Sequence, residues 1–189
     1  MILVMKRILL TIFVLLFTVG SFAQEHMTFK GVEIDGTPDE MVEKLSKVGF
    51  KYEGLSEEEG IYYMKGKFAG YQSRVGIMSS NSLVHSVAAA YSDGLRTWAH
   101  LLERFNFLEE MLTIKYGKPS SVNKNIGKAS DGRYPIRDGK GEWKTTWETD
   151  KGNIMLYIYV TEGWHQTVVI GYMDKINVLS QTQQFYDDL

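Results

Sequence analysis

The sequence predicts an α+β fold. It reads as two tandem helix-plus-three-strand units that form one antiparallel sheet of about six strands, with both helices packed on one face. Three observations predict this. Two capped helical segments each precede segments of alternating polarity. The last two strands of each unit superpose without a gap at one fixed offset, which sets Val75 on Leu156, Ile77 on Ile158, Val87 on Val168 and Tyr91 on Tyr172. The chain has no cysteine, so apolar burial rather than a disulfide framework must hold it together.

The first element is a leader. Lys6 and Arg7 precede an apolar run from Ile8 to Val19 that only Thr11 and Thr18 interrupt. Gly20 relaxes it, and Ser21 and Ala23 supply small residues for a cut before Gln24. This is the layout of a cleavable export signal over residues 1–23. The run is too short to span a bilayer, which takes about 20 residues. Export to the periplasm or the medium is therefore expected. Without a cysteine no lipid anchor follows the cut, so the protein is not a lipoprotein. The leader holds two of the 21 basic residues and none of the 23 acidic ones, which leaves a mature chain more acidic than the formal −2. An acidic chain is a poor partner for nucleic acid.

The first unit spans residues 24–94. Phe29–Ile34 is a short lead-in. Thr37 and Glu40 form a capping box around Pro38, and Met41, Leu45 and Val48 share a helical face that Gly49 ends. Segments 61–68, 71–78 and 83–91 alternate as strands, with turns at Ala69-Gly70 and within Ser79–Ser82. The second unit spans residues 95–176. Its helix runs from about Leu95 to Tyr116, capped by Ser92 or Asp93 and stopped by Gly117 and Pro119. Trp98, Leu101, Leu102, Phe105, Leu108, Met111 and Leu112 recur on one face. Segments 142–149, 153–160 and 165–172 are its strands, and Asp150-Lys151-Gly152 is a hairpin turn. Residues 177–189 are left as a tail. The segment from Gly117 to Gly141 is long for a loop, and a short strand near Ser120–Ile126 would shorten it.

Tandem helix-plus-meander units of this kind resemble the β-lactamase-inhibitor-protein-like fold, and a single unit resembles the small outer-membrane assembly lipoproteins. The phrases Phe29-Lys30-Gly31-Val32-Glu33-Ile34-Asp35-Gly36 and Lys115-Tyr116-Gly117-Lys118-Pro119 look like those of exported proteins of Gram-negative anaerobes. The resemblance covers most of residues 28–176 and implies a protein-binding domain without a catalytic centre. This chain lacks the inhibitor's disulfides and the lipoproteins' lipidated cysteine, so neither specific activity carries over.

No catalytic, cofactor or metal motif is present: there is no Gly-x-Ser-x-Gly elbow, no phosphate loop and no His-Glu-x-x-His. The chain is expected not to be an enzyme and to need no cofactor. His26, His85, His100 and His165 are scattered, with His26 near a disordered terminus. His85 and His165 fall on nearly equivalent strand positions and would approach each other if their strands were adjacent. Glu57–Glu59, Glu109-Glu110 and Asp187-Asp188 read as solvated surface. Trp143 and Trp147 share a strand face and read as core, which is the commoner fate of a large apolar side chain.

Strand parity sorts the remaining candidates. Val75, Ile77, Leu156 and Ile158 belong under the helices. Arg74, Met78, Met155, Tyr157 and Tyr159 share the opposite parity and face away from them. They face either the C-terminal segment 178–189 or a partner, and Tyr and Met suit an interface. These five are the candidate partner-binding residues. The expected function is a non-catalytic module that contacts another protein or an envelope component through the open sheet face, with no transmembrane segment in the mature chain. The alternative is a small-ligand or carbohydrate binder that uses Trp143, Trp147 and the basic loop 117–141. In that loop Lys118, Lys124, Lys128, Arg133, Arg137 and Lys140 outnumber Asp131 and Asp138. Exposed tyrosines with buried tryptophans favour the first reading.

Overall fold

The computed structural model describes residues 25–91, 94, 97–160 and 165–187. The leader and the caps expected at Ser92 or Asp93 lie outside the described residues. The fold is α+β. A small hairpin, β1 (Thr28–Phe29) and β2 (Val32–Glu33), leads into α1 (Pro38–Lys47). A meander follows: β3 (Lys51–Ser56), β4 (Ile61–Phe68), β5 (Tyr71–Ser80) and β6 (Leu83–Tyr91). Next come α2 (Trp98–Tyr116), β7 (Ser121–Asn125) and the short α3 (Arg133–Arg137). The chain ends with β8 (Glu142–Glu148), β9 (Gly152–Val160), β10 (Gln166–Asp174) and α4 (Lys175–Asp187). Among the described residues no helix is long and apolar enough to cross a membrane.

The main sheet has eight strands rather than about six, in the order β3-β4-β5-β6-β10-β9-β8-β7, all antiparallel. The two strands beyond the expected six are its edges. β7 falls where a short strand near Ser120–Ile126 would shorten the long loop, and β3 is new. Most of residues 177–189 are helical, as part of α4.

Local chemistry explains the helix ends. Thr37 Oγ1 accepts from the Glu40 amide at 3.3 Å, and Glu40 Oε2 accepts from the Thr37 amide at 2.8 Å. The cap of α2 is Thr97, whose hydroxyl accepts from the His100 amide at 3.2 Å. The tight turns Ala69-Gly70 and Asn81-Ser82 adopt positive φ at both positions, which matches the twist of the strands they join.

One face of the sheet is covered. The cross-strand row Met64–Val75–Ala89–Ile170–Leu156–Thr145 is buried from β4 to β8. Met41 and Leu45 of α1 and Leu101, Phe105, Leu108 and Leu112 of α2 are buried in the same core. Met111 of α2 is instead exposed. The hairpin adds Phe29, stacked on Phe68 at 4.6 Å and edge-on to Tyr172 at 5.6 Å. Burial and the neighbouring Tyr116 push the Tyr172 hydroxyl well above its ordinary range.

His26 is not loose. Its Nδ1 lies 3.2 Å from Oδ1 of the fully buried Asp174, which also accepts from the amides of Met27 at 2.6 Å and Asn177 at 2.8 Å. The Asn177 amide group donates to the carbonyls of Ile34 at 3.0 Å and Val84 at 2.8 Å. This network ties the first described residues to the start of α4.

Candidate functional site on the uncovered sheet face

On the other face the strands present two well-defined rows. One runs Tyr63–Gly76–Ala88–Gly171–Met155–Thr146 and the next runs Lys65–Arg74–Ala90–Val169–Tyr157–Lys144. Their middle is small. Gly76, Ala88, Ala90 and Gly171 come from β5 and the two central strands, β6 and β10. Bulky side chains stand on either side, and the result is a trough of about 500 Å³. Ile61, Tyr63, Arg74 and Met78 form one wall, and Tyr157, Tyr159 and Val169 form the other. Thr167 closes one end and donates its hydroxyl to the Tyr91 carbonyl at 2.7 Å.

Four of the five candidate residues, Arg74, Met78, Tyr157 and Tyr159, line this trough. Met155 adjoins it: its methyl carbon lies 3.8 Å from where a side chain on Gly171 would begin. Tyr159 is 52% exposed, while Tyr157 and Met155 are half-buried. Burial and the neighbouring Tyr159 raise the Tyr157 hydroxyl above its ordinary value. Burial and the bond to Glu59 do the same for Tyr63, which donates to that carboxylate at 2.7 Å. The Arg74 guanidinium lies over the Tyr63 ring at 3.6 Å, and its Nε is 3.4 Å from Glu53.

None of the described trough lining comes from α4. This helix packs against the ends of β6, β9 and β10, and its Val178 and Leu179 meet Met173 and Asn153 around a shallow cleft of about 300 Å³. The described side chains of α4 thus meet this face at Met173 and Asn153.

The other candidates lie elsewhere. Trp147 is 1% exposed and donates its indole N–H to the Gly117 carbonyl at 3.1 Å. Trp143 sits under α2, edge-on to Trp98 at 5.3 Å and Phe105 at 6.5 Å. Both are on the covered face, so neither offers a stacking platform to a sugar. The basic loop is built structure, and three of its six cations are paired: Lys124 with Glu109 at 2.7 Å, Arg137 with Asp138 at 2.8 Å, and Arg133 with Asp131. Glu109 is thus no solvated bystander; it also accepts from the Thr145 hydroxyl at 2.5 Å. His85 of β6 and His165, just before β10, fall at opposite ends of that strand pair, and His165 joins Gln166 in the trough lining.

Sequence reasoning missed Ile61, Tyr63, Ala88, Ala90, Thr167 and Val169. Parity along β4 and β6 marks their side of the sheet. Nothing in the sequence marks a run of small residues as the floor of a trough until the pairing is known. Among the described residues no three or more His, Cys, Asp or Glu side chains converge in a way that holds a metal ion. The described lining carries no carboxylate. What the arrangement offers is apolar contact, aromatic edges, one guanidinium, and at one end the His165 imidazole, the Gln166 carboxamide and the Thr167 hydroxyl. No protein-family model, curated protein or solved structure matches this chain, so the functional reading rests on this geometry.

Proposed function

We propose that the chain is an exported, non-catalytic binding module that takes a protein or envelope partner on its uncovered sheet face. The trough carries this reading. A sheet face left open in a single domain is ordinarily polar; here it holds Ile61, Met78, Val169 and three tyrosines around a floor of glycine and alanine. Tyrosine-rich apolar surface of this kind is enriched where proteins meet. The burial of Trp147 and the placement of Trp143 under α2 favour it over the tryptophan-based ligand site.

The same reading takes the fold as a duplication. Each half is a helix followed by a meander. The fixed offset of the sequence agrees with a sheet in which the last strands of the two meanders meet at the centre. Export rests on the leader at residues 1–23.

The test uses the tagged mature chain beside a Tyr157→Ala/Tyr159→Ala variant. The variant is expected to lose no more than about 1 kcal/mol of stability, as suits side chains on an open face. Capture from envelope extract and culture medium is expected to retain one stoichiometric partner on the parent and lose it on the variant. A loss of about 3 kcal/mol or more would make both tyrosines structural and remove the proposed face.

A further inference from the structure

The trough's chemistry narrows its occupant, an inference that rests on the binding reading above. Its charge is one-sided. The described lining has one fixed cation, Arg74, one imidazole, His165, and no carboxylate. Lys65 pairs with Arg74 in register across β4 and β5 and is exposed. The two nearby glutamates do not line the trough: Glu53 meets the Arg74 Nε, and Glu59 is held by the Tyr63 hydroxyl. The terminal fork of Arg74 forms no hydrogen bond among the described residues, and that fork fits a carboxylate with two parallel hydrogen bonds. A ligand cation is disfavoured, because Arg74 already lies over the Tyr63 ring at 3.6 Å.

Its shape is equally specific. The floor of Gly76, Ala88 and Ala90 leaves room only a few side chains wide, and the Tyr63 and Tyr157–Tyr159 walls are aromatic. The trough lies open along a sheet face. A free small molecule seated there would stay half in water, unlike the deeply enclosed ligands of ordinary cofactor sites. A side chain delivered by a second protein brings its own cover.

We propose that the occupant is a segment of a partner protein that presents a large apolar side chain beside an acidic residue. The apolar group rests on the Gly76–Ala88–Ala90 floor between the tyrosine walls, and the carboxylate meets Arg74.

The experiment pans a phage-displayed library of random dodecapeptides against the full tagged chain, expressed with its own leader. Counter-selection uses an Ala90→Phe variant that fills the trough, with Ala88→Val as a milder filler should the first fail to fold. Circular dichroism establishes that each variant is native. Enriched peptides are expected to share a large apolar residue within two positions of Asp or Glu. A synthetic consensus peptide is expected to bind Arg74→Glu at least about tenfold more weakly, and to recover when its acid is changed to Lys. Peptides lost on trough filling but indifferent to Arg74→Glu would overturn the acidic assignment while leaving the binding face standing. Failure to enrich any peptide sensitive to trough filling would overturn the proposal, and the double-tyrosine capture experiment would then decide the broader reading separately.

Discussion

Asp174 shows how much one buried carboxylate can hold. It is fully buried and takes hydrogen bonds from His26, Met27 and Asn177, so both ends of the described chain depend on it. Asp174→Asn removes one acceptor and is expected to cost about 2–3 kcal/mol, read as a lower urea midpoint with unchanged slope. An unchanged midpoint would show that the network is optional. His85 gives a pH test. Burial holds its imidazole below the ordinary 6.5, and its Nδ1 lies 2.8 Å from the Ser86 hydroxyl. The unfolded chain therefore protonates first. Its contribution is full above 6.5, falls as pH drops below that value, and levels off once the folded imidazole also protonates. His85→Gln is expected to shrink the difference between urea midpoints at about pH 7 and about pH 5; an unaltered difference would argue that its burial has no bearing on stability. At this scale the sequence was legible where a residue acts on close neighbours, as Thr37 and Glu40 do. It was silent where partners are distant. His26 read as part of a loose terminus because Asp174 is 148 positions away.

Among the elements, strands with one buried face were legible by their alternation; of the two edge strands, β7 was expected only from the length of its loop and β3 not at all. β5 and β9 alternate cleanly, since half of each faces the core. β3 is mostly exposed, carries a register shift between Tyr52 and Gly54, and shows no period of two. β7 is exposed at all five positions. Polar, irregular edges protect a sheet from joining another one, and the same property erases the pattern by which a strand is recognised. Turns and caps make quantitative contrasts. Thr37→Ala removes one capping bond and is expected to cost about 1 kcal/mol in thermal or urea unfolding. Gly152→Ala is expected to cost more than about 2 kcal/mol by the same measurement. A Cβ there would fall 2.0 Å from the Met173 carbonyl oxygen, at a φ of +147°. Equal costs for the two would show that the β9–β10 pair yields more easily at this end than its contacts imply.

Across the whole molecule, the two meanders are joined by β6 and β10, each with a strand on either side. Their open face makes the trough, and their covered face holds Val87, Ala89, Val168 and Ile170. Amides of these strands are expected to exchange with solvent only through global unfolding, while those of β3 and β7 exchange through local opening. Hydrogen exchange measured residue by residue checks this, and comparable protection at the edges and centre would contradict it. The fold class and the covered face were legible because parity and helical spacing are local properties. The trough was not, because its floor is assembled from strands that only tertiary pairing brings side by side.

That central seam also sets an order of events. β6 is complete by residue 91, yet its second neighbour is formed by residues 166–174. A chain emerging from the ribosome, or threading a membrane pore with its N-terminus first, must hold one edge of β6 unpaired while α2 and three further strands are made. The two halves do not join until β10 pairs with β6. The pairing that completes the sheet is thus among the last to become possible as the chain is made.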